Sequence, residues 1–131
     1  MNYIFFDIND KDSHMVFLLR YRYNIFIPNW RRGLTLMKIA ICDDDKNELL
    51  RILSALADYQ LQRNIDFTYK PFDNSTELAS DLLRERYDIY LLDIVMPGLN
   101  GIELAREIRD HDKAADIIFL TSSPEFAVES Y

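Results

Sequence analysis

The sequence from Met37 onward predicts an α/β protein with a doubly wound parallel sheet. Short, mostly apolar runs at 38–42, 89–92 and 117–120 are each bounded by polar or turn residues. Runs of this length suit strands that are buried on both faces, as in parallel sheets. Segments of helical periodicity separate the runs, and strand–helix alternation gives parallel strands joined by right-handed crossovers.

Each predicted element has a local justification. Strands are predicted at 38–42, 65–69, 89–92 and 117–120, and helices at 46–62, 75–86 and 102–109. Asp45 precedes the first helix as an N-cap, with Glu48 three residues on as its capping-box partner. Asn74 begins a similar start signal for the second helix. A turn signal at Asn100 precedes the third helix, and Pro124 suits the first turn of a further one.

Residues 1–36 do not share this pattern, and two interpretations of them stay open. Residues 3–6 and 23–27 have the composition of strands, which favours an additional strand or hairpin. Alternatively, Met37 is the natural start, because the Arg-Arg-Gly run before it can be encoded by a purine-rich stretch that looks like a bacterial ribosome-binding site. The first 36 residues would then be a translated leader. N-terminal sequencing of the protein made from its native upstream DNA distinguishes the two, since a product beginning at Met1 excludes the leader.

Composition limits the domain count and the partners. A chain of 131 residues has room for one domain, and an apolar fraction of 49% supports a core rather than disorder. The net charge of −7 divides into +2 for residues 1–36 and −9 for residues 37–131, which argues against nucleic-acid binding by this domain. Cys42 is the single cysteine, and its apolar neighbours predict a buried thiol. The sequence has neither a membrane-spanning apolar run nor a signal-peptide pattern, so we expect a cytoplasmic protein.

Acidic residues follow two of the predicted strands at the point where each strand ends. Asp93 closes the central apolar run, and Asp43-Asp44-Asp45 closes the first one. Because the carboxyl ends of parallel strands meet at one edge of the sheet, where ligands bind in open α/β folds, we expect these carboxylates to lie together. Carboxylates held together repel one another unless a cation sits between them, and their oxygens favour a hard ion such as Mg²⁺.

Three separated motifs resemble the receiver domain of bacterial two-component response regulators. They are KIAICDDD, LLDIVMPGLNG and IIFLTSSPEF, in this order and each at a strand end. The resemblance covers residues 37–131 and implies a flavodoxin-like sheet. The ending SSPEFAVESY is similar to the LytTR or AlgR-type branch, whose output is a DNA-binding domain on the full-length protein.

The resemblance implies a role for five residues. Asp93 would be the phosphoacceptor, taking a phosphoryl group from a sensor histidine kinase. Asp43 and Asp44 would hold Mg²⁺ together with Asp93, and the backbone carbonyl of Val95 would complete the protein ligands. Thr121 would bond a phosphoryl oxygen. Such a domain is regulatory and catalyses only its own phosphoryl transfer.

The chain departs from this family at its C-terminal end. Only four of the five βα units of a receiver follow Met37, and we find no candidate for the Lys that the fifth strand carries. We therefore expect a truncated receiver domain at 37–131 whose strand at 117–120 is an exposed apolar edge. The alternative function is a receiver-like interaction module without phosphorylation. Under both interpretations, we expect neither direct nucleic-acid binding by this part of the chain nor association with a membrane.

Overall fold

The computed structural model describes residues 3–7, 36–64 and 66–121, which contain five strands and three helices. All strand pairs in the sheet are parallel, and the strands lie in the order β1-β5-β4-β2-β3. The elements are β1 (Tyr3–Asp7), β2 (Met37–Cys42), α1 (Lys46–Arg63), β3 (Phe67–Phe72), α2 (Ser75–Asp81), β4 (Ile89–Asp93), α3 (Gly101–His111) and β5 (Asp116–Thr121). The predicted α/β class with a parallel sheet is confirmed.

The inner strands β2, β4 and β5 are largely buried on both faces, which explains the continuous apolar runs in the sequence. Successive residues of a strand point to opposite faces, so Ile41 and Cys42 of β2 belong to two different clusters of buried side chains. One cluster includes Leu56 of α1, and the other includes Leu78 of α2 and Leu104 of α3. The helices therefore cover the sheet from both sides, as a doubly wound fold requires.

Two elements differ from their predicted bounds. The strand expected at 65–69 is β3 (Phe67–Phe72), which is anchored by burial of its two terminal phenylalanines and pairs with β2. It contains Pro71, which is tolerated because the strand lies at the end of the sheet order. Helix α2 ends at Asp81 instead of near residue 86, with Leu82 as its C-cap. The chain turns there, and the Asp81 carbonyl accepts from the backbone N–H groups of Arg84 and Glu85 at 2.9 and 3.0 Å. The Tyr87 hydroxyl donates to the Asp81 carboxylate at 2.7 Å.

The expectation of an exposed edge at β5 is wrong. Strand β1 pairs with β5 over its whole length, from Tyr3 opposite Ile117 to Asp7 opposite Thr121. The strand composition recognised at 3–6 therefore corresponds to a strand, and the sheet has five strands rather than four. The second strand-like stretch, 23–27, and the helix predicted from Pro124 lie outside the described residues. The boundary at Met37 and the translated leader stay predictions.

Helices within the described ranges give no candidate for a membrane span, since none combines the required length with sufficient hydropathy.

Candidate functional site

The register of the sheet brings two acidic strand ends together. Cys42 of β2 lies opposite Leu92 of β4, so the residues that follow them, Asp43 and Asp93, are neighbours at the carboxyl edge. The carboxylates of Asp43, Asp44 and Asp93 each offer an oxygen within 4.8 Å of the others. The predicted meeting of these side chains at one edge is therefore found.

The turn after β2 holds Asp43 in place. Its side chain is only 2% exposed, and its backbone N–H donates to the carbonyl of Phe72 on the neighbouring strand at 3.1 Å. Its Oδ1 accepts from the N–H of Asp45 at 2.9 Å. Asp45 in turn caps α1 by accepting from the backbone N–H groups of Asn47 and Glu48, which confirms the predicted N-cap. The Glu48 carboxylate binds Arg51, and this pairing replaces the expected capping-box role.

The loop after β4 is fixed against the backbone of Asp93. The N–H of Gly101 donates to the carbonyl of Ile94 at 2.8 Å, and a Cβ at Gly101 would lie 2.1 Å from the Asp93 carbonyl oxygen. Only glycine permits this approach of α3 to the end of β4. Asn100 caps the same helix in a capping box with Glu103. The position of the Asp93 carboxylate therefore depends on a rigid loop.

Burial and mutual repulsion make the carboxylates harder to ionise. Burial, followed by the charge of Asp43, raises the pKa of Asp93 to about 7, although a hydrogen bond from the Val95 backbone opposes the shift. Burial also raises the pKa of Asp43 to about 6, with a smaller contribution from the charge of Asp44. A divalent cation would relieve the repulsion, and carboxylate oxygens are the donors that Mg²⁺ prefers. The residues present therefore fit a magnesium ion.

The other two predicted site residues flank this cluster in different ways. Val95 lies two residues after Asp93 in the loop. Its backbone N–H donates a hydrogen bond to the Asp93 carboxylate, whereas its side chain is 71% exposed. Thr121 is the last residue of β5, one beyond Leu120, which pairs with Asp93. The backbone of Thr121 thus lies at the same sheet edge, on the adjacent strand.

Two buried residues, Cys42 and Ser75, lie next to the site. Cys42 lies beneath it, fully buried, with its Sγ 3.6 Å from the sulfur of Met96. The prediction of a buried thiol is therefore confirmed. Burial and the surrounding carboxylates raise the pKa of this thiol to about 12. Ser75, which sequence reasoning assigned only to a capping signal, is buried beside Gly98 with its hydroxyl lacking a hydrogen-bond partner. The buried position of Ser75 results from the packing of α2 against the loop, and no sequence signal indicates this position.

A doubly wound parallel sheet with three carboxylates at its carboxyl edge defines an α/β domain with a candidate site for a divalent cation. The chain belongs to the response regulator receiver domain family, which it matches over residues 39–130. The family identification made from the three motifs is confirmed.

Two curated relatives are regulators from staphylococci. The chain is 35% identical over 92 residues to accessory gene regulator protein A of Staphylococcus epidermidis, covering 68% of this chain and 39% of that protein. It is 34% identical over 98 residues to sensory transduction protein LytR of Staphylococcus haemolyticus, covering 72% and 36%. The chain thus spans less than half the length of these relatives. The names agree with the LytTR or AlgR-type branch.

One structural neighbour has been solved in two complexes. Response regulator TrrA of Thermotoga maritima, bound to Mg²⁺ and BeF, aligns with a TM-score of 0.56 and 31% identity, covering 72% of this chain and 76% of that one. TrrA in complex with the histidine kinase ThkA aligns with a TM-score of 0.51 and 33% identity, covering 66% and 70%.

Proposed function

We propose that Asp93 is a phosphoacceptor in a two-component phosphorelay. The observation that carries this proposal is the position of its half-buried carboxylate at the end of β4, within 4.8 Å of the carboxylates of Asp43 and Asp44. Such a cluster has no packing role that an apolar residue would not fill better, because buried carboxylates cost free energy unless they are paired. Binding of a divalent cation and a phosphoryl group would account for three carboxylates at this edge.

The reaction is nucleophilic. A carboxylate oxygen of Asp93 attacks the phosphorus of a phosphohistidine, the new O–P bond forms as the N–P bond breaks, and the imidazole of the donor leaves with the bonding electron pair. The nucleophile has to be ionised, so relief of the repulsion that raises the pKa of Asp93 favours the attack. The rigid loop behind Asp93 keeps its carboxylate at the sheet edge during the transfer.

The remaining residues of the site have supporting roles. Asp43, Asp44 and the carbonyl of Val95 would hold Mg²⁺ together with Asp93, and when bound the ion supplies positive charge for the phosphoryl oxygens. The hydroxyl of Thr121 would donate a hydrogen bond to one of those oxygens. The domain then acts as a regulatory switch that catalyses only its own phosphorylation.

The partners follow from the relatives. TrrA was solved with a histidine kinase, and we infer a sensor histidine kinase as the phosphoryl donor here. The curated relatives are more than twice the matched length, and a DNA-binding output domain on a longer form of this protein fits their names as regulators. With these partners, we infer a cytoplasmic location.

Intact mass spectrometry tests the proposal directly. The full chain is incubated with Mg²⁺ and acetyl phosphate, and we expect the gain of one phosphoryl group. The gain should be absent in Asp93→Asn and present in Asp58→Asn, which removes one exposed carboxylate from α1 far from the site. A folded wild-type protein that gains no mass would refute the proposal and favour the interaction module without phosphorylation.

A further inference from the structure

Because β1 pairs with β5 in the sheet, we propose that residues 3–7 are required to keep the edge of β5 closed within one chain and so to keep the domain monomeric. The proposal concerns the fold of this chain and does not depend on phosphorylation. It assigns a definite occupant to an edge that the sequence pattern leaves open. The consequence is that the first residues cannot be removed without exposing β5.

The pairing of β1 with β5 is continuous. Five successive positions of each strand are in register, from Tyr3 opposite Ile117 to Asp7 opposite Thr121, and the strands run parallel. Parallel pairing is the geometry that every other pair in this sheet uses. The strand therefore continues the sheet in its own direction, whereas a hairpin partner would run antiparallel.

The strand that β1 covers is apolar. Ile117, Ile118, Phe119 and Leu120 are each no more than 1% exposed. An uncovered edge of this kind presents unpaired backbone N–H and C=O groups beside a hydrophobic strand, which is a template for pairing with another chain. A sequence of YIFFD, rich in aromatic and β-branched residues, suits such an edge.

The connection between β1 and the rest of the domain permits pairing in cis. Parallel strands require a crossover of about a dozen residues or more, and residues 8–35 provide 28. Strands β1 and β2 are separated by two strands in the sheet order, or roughly 15 Å at about 4.8 Å per strand spacing. Tethering also gives β1 a local concentration on the order of millimolar, so a second copy competes poorly at micromolar protein.

The N-terminal strand also reaches the functional edge of the sheet. Its last residue, Asp7, lies opposite Thr121, and Asp93 lies opposite Leu120. The carboxyl ends of β4, β5 and β1 therefore lie side by side at one edge of the sheet. Closing the β5 edge fixes the backbone of the strand that carries Thr121.

Hydrogen exchange on the full chain and on a variant lacking residues 1–7 provides the first test. In a parallel sheet, alternate residues of β5 bond to opposite neighbours. Deletion should speed exchange by at least roughly tenfold at the β5 amides that face β1, while β5 amides bonded to β4 and the amides between β2 and β4 keep their protection. Unchanged exchange along the whole of β5 would overturn the proposal.

A pair of proline variants tests it without deletion. Ile4→Pro and Phe5→Pro occupy adjacent positions of β1, so one removes an N–H that faces β5 and the other an N–H on the outer side. Proline is tolerated at the outer position of an edge strand and not at the inner one. We expect one variant to reproduce the faster exchange of the deletion and the other to resemble the full chain. Equal behaviour of the two variants would show that β1 is not a paired edge strand.

Dilution distinguishes pairing in cis from exchange between copies. A strand supplied in cis keeps the β5 amides protected at every protein concentration, and the full chain stays monomeric by light scattering. The deletion variant should instead self-associate through its open edge. Protection that disappears on dilution, together with dimers of the full chain, would assign β1 to the sheet of a second copy and refute the proposal.

Discussion

Replacing Gly101 by alanine tests the rigid connection between β4 and α3. An added Cβ would lie 2.1 Å from the carbonyl oxygen of Asp93 and 2.9 Å from both the Asp93 carbonyl carbon and the Ile94 Cα. Ordinary contact begins at about 3.4 Å. These obstructing atoms belong to the backbone, so no side-chain rotation relieves the overlap. The start of α3 has to move away from β4 by about 1 Å, which strains the hydrogen bond from Gly101 to Ile94.

The cost follows from this geometry. Overpacking of a tight site costs about 1–3 kcal/mol, and the strained hydrogen bond adds about 1 kcal/mol. Alanine recovers up to about 1 kcal/mol relative to glycine in a helix. We therefore expect Gly101→Ala to lower the free energy of unfolding by about 2–3 kcal/mol.

Urea denaturation of the full chain measures this loss, and Gly98→Ala is the matched control. Gly98 has a φ of 76°, so alanine there is strained, but its Cβ would meet only the Ser75 hydroxyl at 3.9 Å. The control should cost about 1–2 kcal/mol. A loss for Gly101→Ala no greater than that of the control would contradict the argument from close approach. Phosphoryl gain from acetyl phosphate should also fall more in Gly101→Ala, because the displaced backbone is that of Asp93.

Three further predictions concern charge, caps and buried polarity. Because the pKa values of Asp93 and Asp43 are raised to about 7 and about 6, the folded state binds more protons than the unfolded state between about pH 4 and about pH 8. The free energy of unfolding without Mg²⁺ should therefore fall by about 1–3 kcal/mol between pH 4 and pH 8, as measured by urea titrations at both pH values. The fall should be smaller in Asp93→Asn. An equal fall in this variant would contradict the raised pKa of Asp93. Asn100→Ala removes a capping box and should cost about 1 kcal/mol in thermal or urea unfolding, whereas Asp110→Asn on the exposed side of α3 should change little. Ser75→Ala should leave stability unchanged or raise it by up to about 1 kcal/mol, because the deleted hydroxyl is buried without a partner; a clear loss would reveal a hydrogen bond to that oxygen.

The sheet and its acidic edge could be predicted because both depend on short-range patterns. An apolar run such as 89–92 requires burial on both faces, and parallel strands bring their carboxyl ends together whatever the details of packing. The meeting of Asp43 and Asp93 follows from that topology alone. The close approach at Gly101 was also accessible, since a glycine after a turn signal and before a helix often marks it.

Features that depend on long-range partners could not be predicted. The composition of residues 3–6 indicates a strand, but nothing in it specifies β5 as the neighbour, so the edge was expected to be open. The early end of α2 coincides with a backbone turn at Asp81 and with a hydrogen bond from Tyr87 to the Asp81 carboxylate, neither of which helical periodicity indicates. The isolated hydroxyl of Ser75 depends in the same way on how α2 packs against the loop.

The acidic cluster links the stability of the domain to its proposed switching. Burial keeps Asp43 and Asp93 in a setting where ionisation is unfavourable, so each carboxylate charged at neutral pH destabilises the folded state. A bound cation or a transferred phosphoryl group would change the charge in this one place and so alter the stability of the folded state. A site of well-paired charges would respond less to the same event. If Asp93 is phosphorylated as proposed, we expect this unfavourable charge arrangement to make the loop and β5 sensitive to the modification.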